Sequence, residues 1–244
     1  MKYGISTILF DYGNTLVLDP FSSILKLKAR SATMALAKVK RITEHQLIRA
    51  WTEANNETNY AHISHFYQEN TIVEATIRKL GIIPNKTIVN KLLRIYRDGF
   101  IEVLKSSQHY EHVKQALLNL KLTGLQLGVL SNERKDYLKI GLKSAGLYNI
   151  FDFVLSSEEI GFEKPDVRFF QVALSKLDLV PQKTLYVGDE PVKDIIPAMK
   201  VGMKTALFVC PISESTPWRD YREQKSIKIC LEIHNISELL NLVL

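Results

Sequence analysis

The rhythm of apolar positions changes along the chain. Ile5-Ser6-Thr7-Ile8-Leu9-Phe10 is a short β-branched run closed by Asp11 and the turn formers Gly13-Asn14, which predicts a buried strand and then a turn. From about Phe21 to Lys105 the spacing is helical. Ile88, Leu92, Ile95 and Tyr96 fall on one face, with Leu93 beside them and Phe100 one turn on. Gly81-Ile82-Ile83-Pro84 stops one helix of this stretch, and Asn85 or Thr87 can cap the next. About four helices and no strand are expected there.

From Glu111 onward helices and strands alternate. Helices are expected near Val113–Leu122, Asp136–Ala145, Val167–Leu177 and Val192–Val201. Each precedes an apolar run: Leu125–Leu130, Phe151–Leu155, Thr184–Gly188 and Lys204–Val209. That order predicts an α/β fold, a Rossmann-like doubly wound parallel sheet with helices on both faces. The expected core is residues 1–16 and 109–244, with an inserted α-helical domain at 17–108. Ligands of such sheets sit beyond the carboxyl ends of the strands. There the sequence puts Asp11, Ser131-Asn132, Ser156-Ser157 and Gly188-Asp189-Glu190, a convergence that packing does not explain.

Composition narrows the class. With 46% hydrophobic and 24% charged residues in 244, the chain is neither disordered, collagen-like nor a coiled coil. No apolar run approaches the ~20 residues that span a bilayer, so no membrane association is expected. The start, Met1-Lys2-Tyr3-Gly4, has no signal-peptide character. Cys210 and Cys230 cannot form a disulfide framework, and no Cys/His cluster has zinc spacing, so a reducing cytoplasm is the expected setting.

Charge is unevenly spread. Residues 17–108 hold 14 Lys/Arg against 8 Asp/Glu, which accounts for the whole net charge of +6. Lys26, Lys28, Arg30, Lys38, Lys40 and Arg41 have no acid between them. They form either a solvated helix face or a surface that attracts anions. No nucleic-acid motif or aromatic stacking pattern accompanies them, so nucleic acid is not an expected partner.

Four elements taken in order resemble the haloacid dehalogenase superfamily, in its phosphatase-rich branch with a helical cap after the first motif. They are Phe10-Asp11-Tyr12-Gly13-Asn14-Thr15-Leu16, Leu130-Ser131-Asn132, Lys164-Pro165-Asp166 and Gly188-Asp189-Glu190-Pro191-Val192-Lys193-Asp194. The chemistry fits the residue types. A strand-end Asp11 can attack phosphorus. Asp189 and Asp194 are hard oxygen donors suited to Mg²⁺. Ser131 and Asn132 offer hydroxyl, amide and backbone donors for a phosphate. The resemblance implies that Lys164 balances Asp11 and the phosphate, and that Asp11, the Gly13 carbonyl, Asp189 and Asp194 hold Mg²⁺. It implies a Mg²⁺-dependent phosphatase for a small phosphorylated metabolite, working through an aspartyl phosphate.

One position departs from the pattern. Gly13 stands where the family carries the aspartate that protonates the leaving group and activates water. Such help is worth about 10²–10⁴ in rate, so turnover restricted to good leaving groups is expected. Asp19 is a side candidate for the missing carboxylate, although capping the helix near Phe21 is the better explanation of it. His62 and His65, inside Tyr60–Tyr67, are spaced to share a metal but have no evident carboxylate partner. Two rivals remain: a non-catalytic phosphate- or protein-binding relative, encouraged by Gly13, and a metal-independent dehalogenase, for which Asp189 and Asp194 would have no task.

Overall fold

The structure is a computed structural model that describes residues 4–18, 21–60, 69–106, 109–209 and 231–243. Asp19, His62, His65, Cys210 and Cys230 lie outside the described residues. The chain divides into two compact units, Met1–Asp19 with Ser107–Leu244, and Pro20–Ser106.

The Pro20–Ser106 unit contains α1 (Phe21–Leu36), α2 (Glu44–Tyr60), α3 (Glu69–Lys79) and α4 (Lys86–Ser106). Helical spacing buries Phe21, Ile24, Leu25, Ala29, Ala32 and Leu36 of α1. Gly99 of α4 lets α1 approach closely, since a Cβ there would lie 2.7 Å from Lys28 Cγ and 2.9 Å from Ile24 Cγ2. Trp51 stacks on Tyr96 with centroids 5.7 Å apart. Asn85, rather than Thr87, caps α4, its Oδ1 accepting the Ile88 N–H at 3.0 Å. On the basic stretch, Lys28 pairs with Glu102 at 2.6 Å and Lys40 donates to the Leu80 carbonyl at 2.7 Å. Lys26, Arg30, Lys38 and Arg41 are exposed, the last two beyond the end of α1.

In the other unit, β1 (Thr7–Phe10), β2 (Gln126–Ser131), β3 (Phe153–Ser156), β4 (Thr184–Gly188), β5 (Lys204–Phe208) and β6 (Glu232–Ile233) form one sheet. Its order is β3-β2-β1-β4-β5-β6, and every pairing is parallel. That is the order of Rossmann-like doubly wound sheets. The helices are α5 (His109–Leu122), α6 (Lys135–Ser144), the single turn α7 (Ser157–Ile160), α8 (Val167–Lys176), α9 (Ile196–Lys200) and α10 (Leu240–Val243). All of β1 is buried, which explains why Ile8, Leu9 and Phe10 follow one another without polar alternation, while Thr7 donates its hydroxyl to Gln126 Oε1 at 3.2 Å. Among the described residues no helix is long and apolar enough to cross a membrane.

Three local differences from the sequence reading have physical causes. The strand expected from Phe151 begins at Phe153, because a 3₁₀ turn at Tyr148–Ile150 precedes it and Asp152 Oδ2 accepts the Leu127 N–H at 2.8 Å. The helix expected over Val192–Val201 splits into a π-type turn, Pro191–Ile195, and α9. Pro197 has no N–H to give the Lys193 carbonyl and its ring would strike it, so the chain widens there. The strand β6 has two residues, too short to leave a periodic signal.

Candidate active site

Strand β1 lies between β2 and β4, where the winding of the sheet reverses. In open α/β sheets this switch point is where ligands bind. Asp11 follows β1 directly, and its N–H donates to the Val187 carbonyl of β4 at 2.8 Å, which extends the ladder by one bond. The sheet thus fixes the backbone of Asp11 beside the end of β4, where Asp189 follows.

Lys164 arrives from the loop between α7 and α8 and is the centre of the site. Its Nζ donates to Asp11 Oδ1 at 2.6 Å, Asp194 Oδ1 at 2.6 Å and the Tyr186 hydroxyl at 3.0 Å. Its side chain is 4% exposed. Asn132 holds the backbone of that lysine from both sides: Oδ1 accepts the Lys164 N–H and Nδ2 donates to the Lys164 carbonyl, each at 2.9 Å. The Asn132 side chain therefore anchors a loop, and its carbonyl accepts the Ser157 hydroxyl at 3.3 Å. Ser131 ends β2 and is buried, with Oγ accepting the Glu133 N–H at 3.0 Å. Asp166, although inside the third motif, caps α8 by accepting the Arg168 N–H at 2.9 Å.

Asp194 sits on the π-type turn. Its Oδ1 accepts from Lys164 and from the Tyr186 hydroxyl at 3.2 Å, and its Oδ2 accepts the Glu190 N–H at 3.0 Å. This proximity explains Gly188, where a Cβ would lie 2.5 Å from Asp194 Cγ. Gly13 has no such constraint: a Cβ there would meet nothing within 4 Å, and its φ is not in the left-handed region.

Among the described residues, Asp11, Asp189 and Asp194 bring carboxylate oxygens within 4.8 Å of one another, all buried. Asp189 Oδ2 is buried with no hydrogen-bond partner among the described residues. A buried, unpartnered carboxylate oxygen beside two further carboxylates fits a hard divalent cation such as Mg²⁺. Asp194, whose oxygens already accept three protein donors, supports Lys164 first. The acidities reflect the crowding. Burial raises the Asp11 carboxyl, Lys164 lowers it and Asp194 raises it, leaving it pushed up to about 6. Burial, Asp194 and Asp11 push Asp189 well above the carboxylate range. Burial opposes the Lys164 charge, but Asp11 and Asp194 outweigh it and hold the ammonium well above its usual value.

The structure brings Asp11, Lys164, Asp189 and Asp194 together. It adds Tyr186, which the sequence reading missed because a tyrosine inside a strand carries no signal of its own.

A family model described as haloacid dehalogenase-like hydrolase matches residues 36–208, a span that includes Ser131, Lys164, Asp189 and Asp194 and begins after Asp11. The glyceraldehyde 3-phosphate phosphatase of Methanopyrus kandleri is 30% identical over 204 residues, 82% of this chain and 82% of that protein. The pyrophosphatase PpaX of Bacillus velezensis is 35% identical over 97 residues, 40% of this chain and 44% of that protein. Among solved structures, the L-2-haloacid dehalogenase of Xanthobacter autotrophicus has a TM-score of 0.66 at 18% identity, with 98% of each chain covered. At that identity the likeness shows the fold alone.

Two outcomes follow from the geometry. Gly188→Ala should cost about 1–3 kcal/mol, because its Cβ displaces a carboxylate locked by three donors. Urea unfolding measures this, and a change below about 0.5 kcal/mol would show that Asp194 has room to move. The second concerns pH. Folded Asp11 keeps its proton to about pH 6, well above the ordinary aspartate range, so its ionisation opposes folding. The stability it contributes is complete below about pH 4 and is lost as pH rises through about 6. In chelator, the wild-type urea midpoint should therefore fall relative to Asp11→Asn across that window; parallel curves would contradict the burial argument.

Proposed function

The chain belongs to the haloacid dehalogenase-like hydrolases, and from that premise we propose that it is a Mg²⁺-dependent phosphatase acting on a small phosphorylated metabolite through an aspartyl phosphate on Asp11. The observation that carries this reading is the buried cluster of Asp11, Lys164, Asp189 and Asp194 at the switch point of the sheet. The names of the Methanopyrus and Bacillus relatives support the same substrate class.

In this reading an Asp11 oxygen attacks phosphorus while the bond to the leaving oxygen breaks, its electron pair departing with that oxygen. Water then attacks the same phosphorus, releasing phosphate and restoring Asp11. Lys164 supplies a fixed positive charge beside the attacking carboxylate, and electrostatic positioning of this kind dominates phosphoryl transfer. Ser131 and the backbone of Asn132 would hold phosphoryl oxygens. Asp11, the Gly13 carbonyl and Asp189 would hold Mg²⁺, with Asp194 behind them through Lys164. When bound, the ion would neutralise charge on the phosphoryl oxygens. The inserted helical unit is assigned the part of specificity cap.

The non-catalytic rival draws on Gly13, and phosphate release with and without Mg²⁺ separates it from the phosphatase reading. A metal-independent dehalogenase leaves Asp189 Oδ2 without a task. The absence of a carboxylate at Gly13 instead restricts the substrates. A leaving oxygen must depart as an anion or take its proton from water, which acyl, aryl and pyrophosphate-type bonds tolerate and alkyl phosphates do not.

The metal assignment is tested by Mg²⁺ titration of phosphate release across a panel of phosphorylated metabolites. Asp189→Ala should raise the Mg²⁺ requirement sharply, whereas Asp194→Ala should chiefly lower kcat through Lys164. Equal titrations for wild type and Asp189→Ala would place the metal elsewhere. For the leaving group, kcat/KM across monoesters of similar size should fall steeply as leaving-group pKa rises. Gly13→Asp, whose Cβ has open space, should speed alkyl phosphates by up to ~10²–10⁴. A flat dependence in the wild type would mean that another residue supplies the proton.

A further inference from the structure

Tyr186 lies in the middle of β4, and the strand alternation puts its side chain on the same face as Gly188 and opposite that of Val187. It is fully buried. Its ring is fixed edge-on by Phe170, with centroids 4.9 Å apart at 88°. Phe170 in turn packs edge-on against Phe169 at 5.1 Å and 77°. Both phenylalanines belong to α8, the helix that begins just after the Lys164 loop. The element that follows Lys164 thus also sets where the tyrosine hydroxyl stands.

An ammonium group has three N–H donors. In this site all three have acceptors: Asp11 Oδ1, Asp194 Oδ1 and the Tyr186 hydroxyl. The hydroxyl accepts from Lys164, and its own proton can go to Asp194 Oδ1 at 3.2 Å or to the Leu130 carbonyl at 3.4 Å. Two carboxylates alone leave the ammonium free to turn about the line joining them and to drift toward either one. A third acceptor on a rigid ring removes that freedom.

We propose that Tyr186 is a positioning residue, whose hydroxyl fixes the Lys164 ammonium between Asp11 and Asp194 so that its charge stands where the phosphoryl group is transferred. The proposal rests on the phosphatase reading above for its catalytic consequence, and on geometry alone for the placement of Lys164. It differs from a core hydrogen bond that merely satisfies a buried hydroxyl: a structural bond would move stability alone, whereas a positioning bond also moves kcat and the surroundings of the ammonium.

Tyr186→Phe keeps the ring and its packing and removes the hydroxyl alone. With p-nitrophenyl phosphate and Mg²⁺, kcat should fall about 10–100-fold, as expected for misplacement of a catalytic charge, while KM stays near that of wild type. In a Lys164→Arg background the same substitution should add no further loss, since the two act as one unit. Nitrogen-15 NMR of lysine ammonium groups gives a readout independent of turnover. The Lys164 signal, assigned by its disappearance in Lys164→Arg, should be protected in wild type, and shifted and broadened in Tyr186→Phe. An unmoved signal, a Lys164 signal already in fast exchange in wild type, or kcat within twofold of wild type would each overturn the proposal. If wild type does not hydrolyse p-nitrophenyl phosphate, the phosphatase reading fails, and the ammonium signal alone decides the role of Tyr186.

Discussion

One lysine ammonium, held between two buried aspartates, is the constraint on which this site depends. Moving a carboxylate or an ammonium out of water costs several kcal/mol even after relaxation, and that cost is offset only by close, well-aligned partners. Lys164 meets the condition by satisfying Asp11 and Asp194 at 2.6 Å each. Three carboxylates around one ammonium still leave an excess of negative charge. The imbalance appears in the raised pKa values of Asp11 and Asp189, which hold their protons to higher pH than exposed aspartates do. A divalent cation is the other way to neutralise such a cluster, and the Asp189 oxygen that has no hydrogen-bond partner among the described residues is where its chemistry fits.

The surrounding structure can be understood as support for that ion cluster. The Asn132 amide grips the lysine backbone in both directions. Gly188 gives up its side chain so that Asp194 can approach. The π-type turn enforced by Pro197 carries Asp194. Asp166 caps the helix that leaves the lysine loop, and Phe169 and Phe170 of that helix hold Tyr186. Each device is local, and together they bring side chains from four separate strand ends and loops to one point. The crowding also makes Gly13 stand out: it is an open position next to a tightly built one, and its lack of a carboxyl group is a chemical choice that space did not impose.

Much of this was legible in the sequence. Strand-end positions follow from periodicity, and chemistry placed at strand ends follows from the parallel sheet, so Asp11, Ser131 and Asp189 could be located without coordinates. Partners separated by long stretches of chain do not follow from the local pattern, and the pairing of Lys164 with Asp11 came only through the family resemblance. Nothing in the local pattern says that Lys164 reaches a residue 153 positions away, or that a strand tyrosine turns its hydroxyl toward that lysine. The Asn132 side chain, expected to cradle phosphate, instead holds the loop, because an amide with a donor and an acceptor matches a peptide group better than an anion. Pro197 was visible, but its effect on the preceding turn depends on how a helix adjusts to a missing donor, which composition does not specify.

In the proposed mechanism Asp11 is the phosphoryl acceptor. The most direct measurement is rapid quenching during turnover of an aryl phosphate, followed by borohydride reduction and mass spectrometry of the Asp11 peptide. An acyl phosphate is reduced under these conditions, converting the aspartate to homoserine, whereas a free carboxylate is untouched. The account predicts homoserine at residue 11, accumulating with a burst of leaving group and then a slower steady rate, because no carboxylate at Gly13 activates water for the second step. Phosphate release with Asp11 unmodified at every quench time would contradict it.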